Sequence, residues 1–191
     1  VVWIITVFTF LAGVNFSLLY AALRGQWRQV WRSQELRLYT AITLCAVALI
    51  CLDLSVQTGE RAADSFTDAA FQVVTIMTTT GYATRDFALW PTFSRCILVA
   101  LMFIGACAGS TGGGIKVSRV VILVKSVVRE LFTVKHPKGV RTVKLDGHVV
   151  DKDTVRSVHV FISSYVLIYM LSLLVVGLDD FDFTTNFTAI V

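Results

Sequence analysis

The stretch CAGSTGGGIK, residues 107–116, places four glycines and a lysine inside an otherwise apolar run. It looks like a nucleotide-binding P-loop, which requires a lysine directly after its second glycine and then a serine or threonine. Counted from Gly109, the residue after Gly114 is isoleucine, and Lys116 is followed by valine. A P-loop also joins a strand to a helix in a soluble domain. The stretch therefore does not predict a nucleotide-hydrolysing enzyme, and its glycines need another explanation.

The composition is typical of a membrane protein. Hydrophobic residues make up 55% and charged residues 16% of the 191 residues, against roughly 45–50% and about 25% in soluble domains. A helix needs about 20 mostly apolar residues to cross the hydrocarbon layer. Four stretches with at most one carboxylate meet this length and are predicted to cross the membrane: residues 1–23, 38–58, 96–115 and 157–178.

Three consecutive glycines, Gly112, Gly113 and Gly114, predict that the third of these spans is broken. Each weakens a helix by roughly 1 kcal/mol relative to alanine. Non-helical backbone survives in a membrane only where it is buried in protein or lines a watery cavity, and broken helices recur near ion sites. For Gly105 and Gly109, close helix packing through small residues is an alternative explanation.

A fifth apolar stretch, residues 66–84, carries only Asp68 but ends in a polar run. It is too polar at one end for a lipid-facing span. We therefore predict a re-entrant helix over residues 68–77, followed by a loop buried in protein. Both ends of such an element lie on the same side of the membrane.

The loop sequence TTTGYATRD, residues 78–86, has the plan of a potassium filter. In potassium channels a TVGYG loop points consecutive carbonyl oxygens at the ion, where they replace its hydration shell. Glycine permits the backbone angles that this requires, and a helix ending here directs its negative C-terminal end toward a cation. We therefore predict that K+ is bound by the backbone carbonyls of Thr79, Thr80, Gly81 and Tyr82.

Charged residues predict the orientation, because short cytoplasmic loops are enriched in Lys and Arg. Four of the 17 basic residues lie in residues 24–37 and ten in residues 116–156, so both segments are predicted to be cytoplasmic. The segments predicted to lie outside are acidic and hold Glu60, Asp64, Asp68, Asp179, Asp180 and Asp182. The four cysteines and three histidines form no metal-ligand or catalytic pattern, so neither a metal enzyme nor a disulfide framework is expected.

Three stretches, QVVTIMTTTGYATRDFALWPTFSR, LMFIGACAGSTGGGIKVSRV and FLAGVNFSLLY, resemble bacterial potassium uptake proteins of the Trk type, in the Trk/Ktr/HKT superfamily. The resemblance implies an all-α membrane fold of four helix, re-entrant pore loop, helix repeats around one pore, with a glycine-broken transmembrane helix. It assigns residues 1–36 to the end of the second repeat and its cytoplasmic loop, 37–128 to the complete third repeat, 129–156 to a cytoplasmic loop and 157–191 to the start of the fourth. The chain begins within an apolar run without a methionine, so we expect a fragment of a longer protein.

The same resemblance implies roles for two sets of residues. Residues 79–82 become one quarter of the filter, although the family often has phenylalanine in the place of Tyr82. The glycine-rich loop becomes a gate below the filter, formed by Gly109, Ser110, Thr111, Gly112, Gly113, Gly114 and Lys116. For Lys116 the alternative is a lysine at the cytoplasmic membrane boundary that extends its amine to water.

The function implied is transmembrane transport of potassium ions, without enzyme chemistry and without a cofactor beyond K+ as the transported ion. The implied partners are the lipid bilayer, the missing repeats of the same chain, a second copy in a homodimer, and a cytoplasmic nucleotide-binding regulatory subunit that meets residues 129–156. No nucleic acid is expected. The implied location is the bacterial inner membrane, with several crossings. The alternative is a non-conducting regulatory or structural membrane subunit with the same fold.

Overall fold

The computed structural model describes residues 1–59, 61–136, 142–178 and 182–190. These residues form mainly helices, with a 3-10 turn at Phe87–Leu89 and one short antiparallel hairpin. The helices are α1 Val2–Ala12, α2 Phe16–Leu23, α3 Trp27–Arg32, α4 Gln34–Thr58, α5 Ala62–Met77, α6 Thr92–Phe103, α7 Val117–Lys135, α8 Lys152–Val176 and α9 Phe183–Ala189. The hairpin pairs β1 Lys144–Leu145 with β2 His148–Val149, Lys144 opposite Val149. Glu60, Asp179 and Asp180, predicted to lie on the outer side of the membrane, fall outside the described residues.

Two helices of the described part of the chain are long and apolar enough to cross a membrane. They are α4 and α8, and they contain the predicted spans 38–58 and most of 157–178. The helix α4 begins earlier than predicted because Ser33 caps it, accepting a hydrogen bond from the Leu36 N–H at 3.4 Å. It ends at Thr58 and is followed by Gly59, whose φ is +66°.

The predicted span 1–23 is broken, which its uncharged sequence did not indicate. The helices α1 and α2 meet at an angle of 105°, and together they would make a third crossing. The break follows from Asn15, whose side-chain oxygen accepts the Ser17 N–H at 2.8 Å and so begins a new helix. In the sequence, the signal that could have indicated this break is Asn15, a favourable helix cap two residues after Gly13.

The predicted re-entrant helix is present as α5, which begins at Ala62 rather than at residue 68. It packs against α1, α4 and α6. Ala69, Val73 and Met77 on it have no exposed surface. The helix is therefore the centre of the unit formed by residues 1–118, one of two compact units into which the chain divides.

The predicted break at the glycine-rich stretch is also present, but it begins earlier than Gly112. The helix α6 ends at Phe103, residues 104–116 are irregular, and α7 begins at Val117. With 12 residues, α6 is too short to cross the membrane as a helix.

The second unit, residues 119–191, has its own small core. Ile122, Val143, Val155 and Val158 are buried together. The Ser126 hydroxyl lies 2.7 Å from Nε2 of His159. Apolar side chains along α8, such as Leu167, Ile168 and Leu174, are exposed, as expected of a helix facing lipid. Residues 129–135, predicted as loop, continue α7.

We expect that Gly13→Ala destabilises the complete protein by about 1–3 kcal/mol through overpacking. Its φ of −77° is compatible with any residue, but an added Cβ would collide with the Tyr39 hydroxyl and lie 2.9 Å from Cγ2 of Thr78. Thermal unfolding in detergent would measure the change. The Tyr39 hydroxyl is one of the atoms that the new Cβ would meet. Tyr39→Phe should therefore lower the stability to unfolding less in the Gly13→Ala variant than in the unaltered protein. An equal loss of stability from Tyr39→Phe with and without Gly13→Ala would contradict the steric explanation.

Candidate functional site

The loop that follows α5 has a backbone that ordinary residues avoid. Thr79 has φ of +54° and Gly81 has φ of +81°. A β-branched residue with positive φ is an outlier, and it persists only where its surroundings hold it. Nothing lies within 4 Å of the position where Gly81 would carry a Cβ. Backbone angle, rather than crowding, therefore requires glycine there.

Threonine hydroxyls and backbone amides tie the start of this loop to α5. The Thr78 hydroxyl donates to the Val74 carbonyl at 2.7 Å and lies 2.7 Å from the hydroxyl of Thr80. The Thr80 N–H donates to the Thr75 carbonyl at 2.9 Å. Thr78 is buried, whereas the next four residues, Thr79 to Tyr82, are exposed in this chain. All four predicted ion-binding residues thus lie in one exposed loop at the C-terminal end of a buried helix.

A second attachment holds the far end of the same loop. The Asp68 carboxylate on α5 lies 3.0 Å from Nε of Arg85, and its other oxygen accepts from the Thr84 hydroxyl at 3.4 Å. The Asp68 side chain is 14% exposed, so water screens this ion pair only partly. Residues 79–82 are therefore fixed at both ends by the same helix.

The glycine-rich loop, residues 104–116, closes on itself at its base. Ile104 and Ile115 form a parallel bridge, with the Gly105 N–H donating to the Ile115 carbonyl at 2.9 Å. A Cβ at Gly105 would collide with the Gly113 carbonyl oxygen, while Gly109 has φ of +69°. Neither glycine lies in a helix, so helix packing through small residues does not explain them.

The irregular backbone between α1 and α2 and the glycine-rich loop form hydrogen bonds with each other. The Gly13 carbonyl accepts the Cys107 N–H at 3.0 Å, and the Ala12 carbonyl accepts the Thr111 N–H at 3.4 Å. In the opposite direction, the Phe16 N–H donates to the Gly109 carbonyl at 3.2 Å. These groups have no helical partners at the two breaks, and the hydrogen bonds between the two segments satisfy them.

The glycine-rich loop contacts the loop after α5 directly. The Gly113 N–H donates to Oγ1 of Thr79 at 2.8 Å, and the same hydroxyl donates to the Thr78 carbonyl at 2.7 Å. A Cβ at Gly112 would lie 2.9 Å from Cβ of Ala106 and 3.4 Å from the Thr78 carbonyl oxygen. The Lys116 amine donates to the Gly112 carbonyl. The structure thus brings the two predicted sets of site residues together.

One residue that sequence reasoning missed is Glu35. Its Oε1 accepts hydrogen bonds from the Ala108 N–H at 2.6 Å and the Ser118 N–H at 3.2 Å, and the residue is only 6% exposed. In the sequence it is a carboxylate in the first turn of α4, where acidic residues commonly stabilise the helix dipole. Its partners lie 73 and 83 residues away, so local patterns carry no signal for them.

A site built from backbone oxygens is consistent with the side chains available. Among residues 1–59, 61–136, 142–178 and 182–190, no group of three or more His, Cys, Asp or Glu side chains is arranged to hold a metal ion.

These features define a class: helical membrane proteins built from helix, pore loop, helix repeats. The sequence model of the family TrkH, described as a cation transport protein, matches residues 1–191, and the chain belongs to this family. The resemblance to the Trk type is thereby confirmed, and the family is described as one of transport proteins, not of enzymes.

Individual relatives agree with the family. The chain is 37% identical over 184 residues to the Trk system potassium uptake protein TrkH of Salmonella typhimurium and 32% identical over 184 residues to TrkG of Escherichia coli K12. It resembles the crystal structure of the potassium transporter TrkH from Vibrio parahaemolyticus with a TM-score of 0.87, at 34% identity, over 97% of this chain and 41% of that one. The match to the Salmonella protein covers 94% of this chain, which spans 38% of that relative's length.

We expect that Asp68→Asn loosens the outer end of the loop formed by residues 79–82. Asparagine can still accept a hydrogen bond but loses the charge that attracts Arg85, a contribution of about 1 kcal/mol or less at a partly exposed site. Hydrogen exchange of the amides between residues 79 and 85 in the complete protein should become severalfold faster. Asp64→Asn, on an exposed position of the same helix, is the matched control and should leave these rates unchanged. Equal exchange rates in both variants would contradict the attachment.

Proposed function

We propose that this chain forms part of a potassium-transport pathway in a bacterial inner membrane, in which K+ passes the carbonyl oxygens of Thr79, Thr80, Gly81 and Tyr82. The observation that carries the proposal is the left-handed backbone of Thr79 and Gly81 in an exposed loop at the end of α5. The printed names of the relatives, potassium uptake proteins, support the choice of ion.

Electrostatics favours a cation at this place. The C-terminal end of a helix carries a partial negative charge of about half an elementary charge, and α5 ends at Met77, two residues before the loop. Carbonyl oxygens replace the water around the ion without any covalent step. Residues 79–82 supply one quarter of the filter in this proposal. The missing repeats of the same chain supply the remainder.

The gate in this proposal is the loop formed by Gly109, Ser110, Thr111, Gly112, Gly113 and Gly114, together with Lys116. The hydrogen bond from the Gly113 N–H to Oγ1 of Thr79 supports this assignment, because it joins the loop to a residue of the proposed filter. The Lys116 amine, hydrogen-bonded to the Gly112 carbonyl, holds the loop and adds a positive charge that repels cations while the gate is closed. This contact favours the functional role of Lys116 over a lysine that only extends to water.

The remaining assignments follow the repeat pattern of the family. Residues 1–36 end the second repeat, 37–128 form the third, 129–156 form a cytoplasmic segment and 157–191 begin the fourth. The complete protein crosses the membrane several times and assembles as a homodimer. A cytoplasmic nucleotide-binding regulatory subunit contacts residues 129–156, which hold several of the basic residues.

The filter assignment predicts that Gly81→Ser lowers the discrimination of K+ over Na+ in the complete protein. Serine at φ of +81° strains the loop by roughly 1 kcal/mol and displaces the carbonyls. Rubidium uptake in a potassium-uptake-deficient host, with and without competing Na+, measures this. Gly25→Ser is the matched control, because Gly25 has φ of +75° and equally open surroundings but lies outside the loop. Unchanged discrimination in Gly81→Ser would falsify the filter assignment.

The gate assignment predicts that Thr79→Val raises uptake under conditions in which the unaltered protein is inactive. Valine keeps the β-branched shape but leaves the Gly113 N–H without its acceptor, which costs about 1–3 kcal/mol in the closed arrangement. Thr79→Ser retains the hydroxyl and should behave like the unaltered protein. The same uptake assay, performed without activating partner, compares the three. Identical basal uptake in Thr79→Val and the unaltered protein would count against the gate.

A further inference from the structure

Glu35 binds the backbone on both sides of residues 109–114 with a single oxygen atom. Its Oε1 accepts from the Ala108 N–H, just before Gly109, and from the Ser118 N–H, at the second residue of α7. Hydrogen bonds to a carboxylate are stronger than those between neutral groups, and Glu35 accepts two of them, at 2.6 Å and 3.2 Å. We propose that Glu35 is the positioning residue about which the gate loop moves, an inference that rests on the proposed gating function.

The Ser118 contact has a physical reason of its own. The first N–H groups of a helix have no acceptor within it, and a negative charge at this end is favoured by the helix dipole. At the start of α7, the Glu35 carboxylate supplies the acceptor for the Ser118 N–H and the acidic group that the helix dipole favours. Since Glu35 belongs to α4, the backbone at Ser118 is held to that helix.

The Ala108 contact acts on the other side of the loop. Residues 109–114 contain four glycines and have wide conformational freedom. Fixing the residues on both sides reduces this freedom, so the glycines return to one arrangement against Thr79.

Two of the loop's attachments, the one to Thr79 and the one to Glu35, differ in strength. The contact with the filter is one hydrogen bond between neutral groups, Gly113 to Thr79. The contact with Glu35 consists of two bonds to a buried carboxylate. When the loop leaves the filter, the weaker attachment opens first, and the pair of bonds at Glu35 stays as the fixed end.

Cys107 provides a readout that does not depend on ion flux. It adjoins Ala108 and has no exposed surface. In the complete protein with every other cysteine replaced by alanine, the rate of Cys107 labelling by a membrane-permeant maleimide reports how often the loop base opens. Loss of the two bonds in Glu35→Ala should raise this rate about tenfold or more, the equivalent of one net hydrogen bond.

Three variants separate the positioning role from general damage. Glu35→Gln keeps an oxygen that can accept both bonds but loses the charge, so it should label faster than the unaltered protein and more slowly than Glu35→Ala. Asp53→Ala is the control at the other end of α4, because Asp53 contacts Ser94 of α6 and not the loop, and it should not change Cys107 labelling. If Glu35→Ala does not fold, Glu35→Asp, which is one methylene shorter, should label faster than Glu35→Gln.

Rubidium uptake completes the test. Glu35→Ala should raise basal uptake while the discrimination of K+ over Na+ is kept, since residues 79–82 have separate attachments. Labelling of Glu35→Ala at the unaltered rate, or faster labelling in Asp53→Ala to the same extent, overturns the proposal. Absence of uptake from the unaltered protein contradicts the proposed function instead, and the labelling comparison still decides the role of Glu35.

Discussion

Backbone groups without water to bind them are the constraint on which this structure depends. The irregular segments at Gly13 to Asn15 and at residues 104–116 release amide and carbonyl groups from their helices, and in a membrane each unsatisfied group costs several kcal/mol. The two segments lie together and exchange hydrogen bonds in both directions. Each segment supplies partners for groups of the other, so the break after α1 and the break after α6 are coupled through their main chains.

The helix α4 carries a carboxylate near each end. Each carboxylate accepts hydrogen bonds from a different segment of the broken span. Asp53 accepts the Ser94 N–H and hydroxyl near the start of α6, while Glu35 accepts the Ser118 N–H at the start of α7. The two carboxylates are 18 residues apart, or about 27 Å along a helix. That length is close to the thickness of the hydrocarbon layer. One helix thus contacts the chain near the start of α6 with one carboxylate and at Ser118 with the other.

Sequence reasoning located the elements whose signals are local. The apolar stretches gave α4 and α8, the triple glycine indicated the break before α7, and TTTGYATRD marked the loop after α5. It missed the break at Gly13, since an uncharged stretch carries no sign of a bend beyond one Asn cap. It also missed Glu35, because its partners are distant in sequence, and it placed the second break too late, since α6 ends where Ile104 begins to pair with Ile115. The bonds that join the two loops depend on tertiary packing that no periodic pattern records.

Gly81 and Gly105 are both indispensable in this arrangement, but for unlike reasons. At Gly81 there is open space and a φ of +81°, so glycine is needed because residues with a side chain rarely adopt this backbone angle. At Gly105 the Gly113 carbonyl occupies the place of a side chain, so the requirement is one of volume. Substitutions at Gly81 should therefore rank by how readily a residue enters the left-handed region, with asparagine ahead of valine. At Gly105 they should rank by size alone, and alanine is already too large.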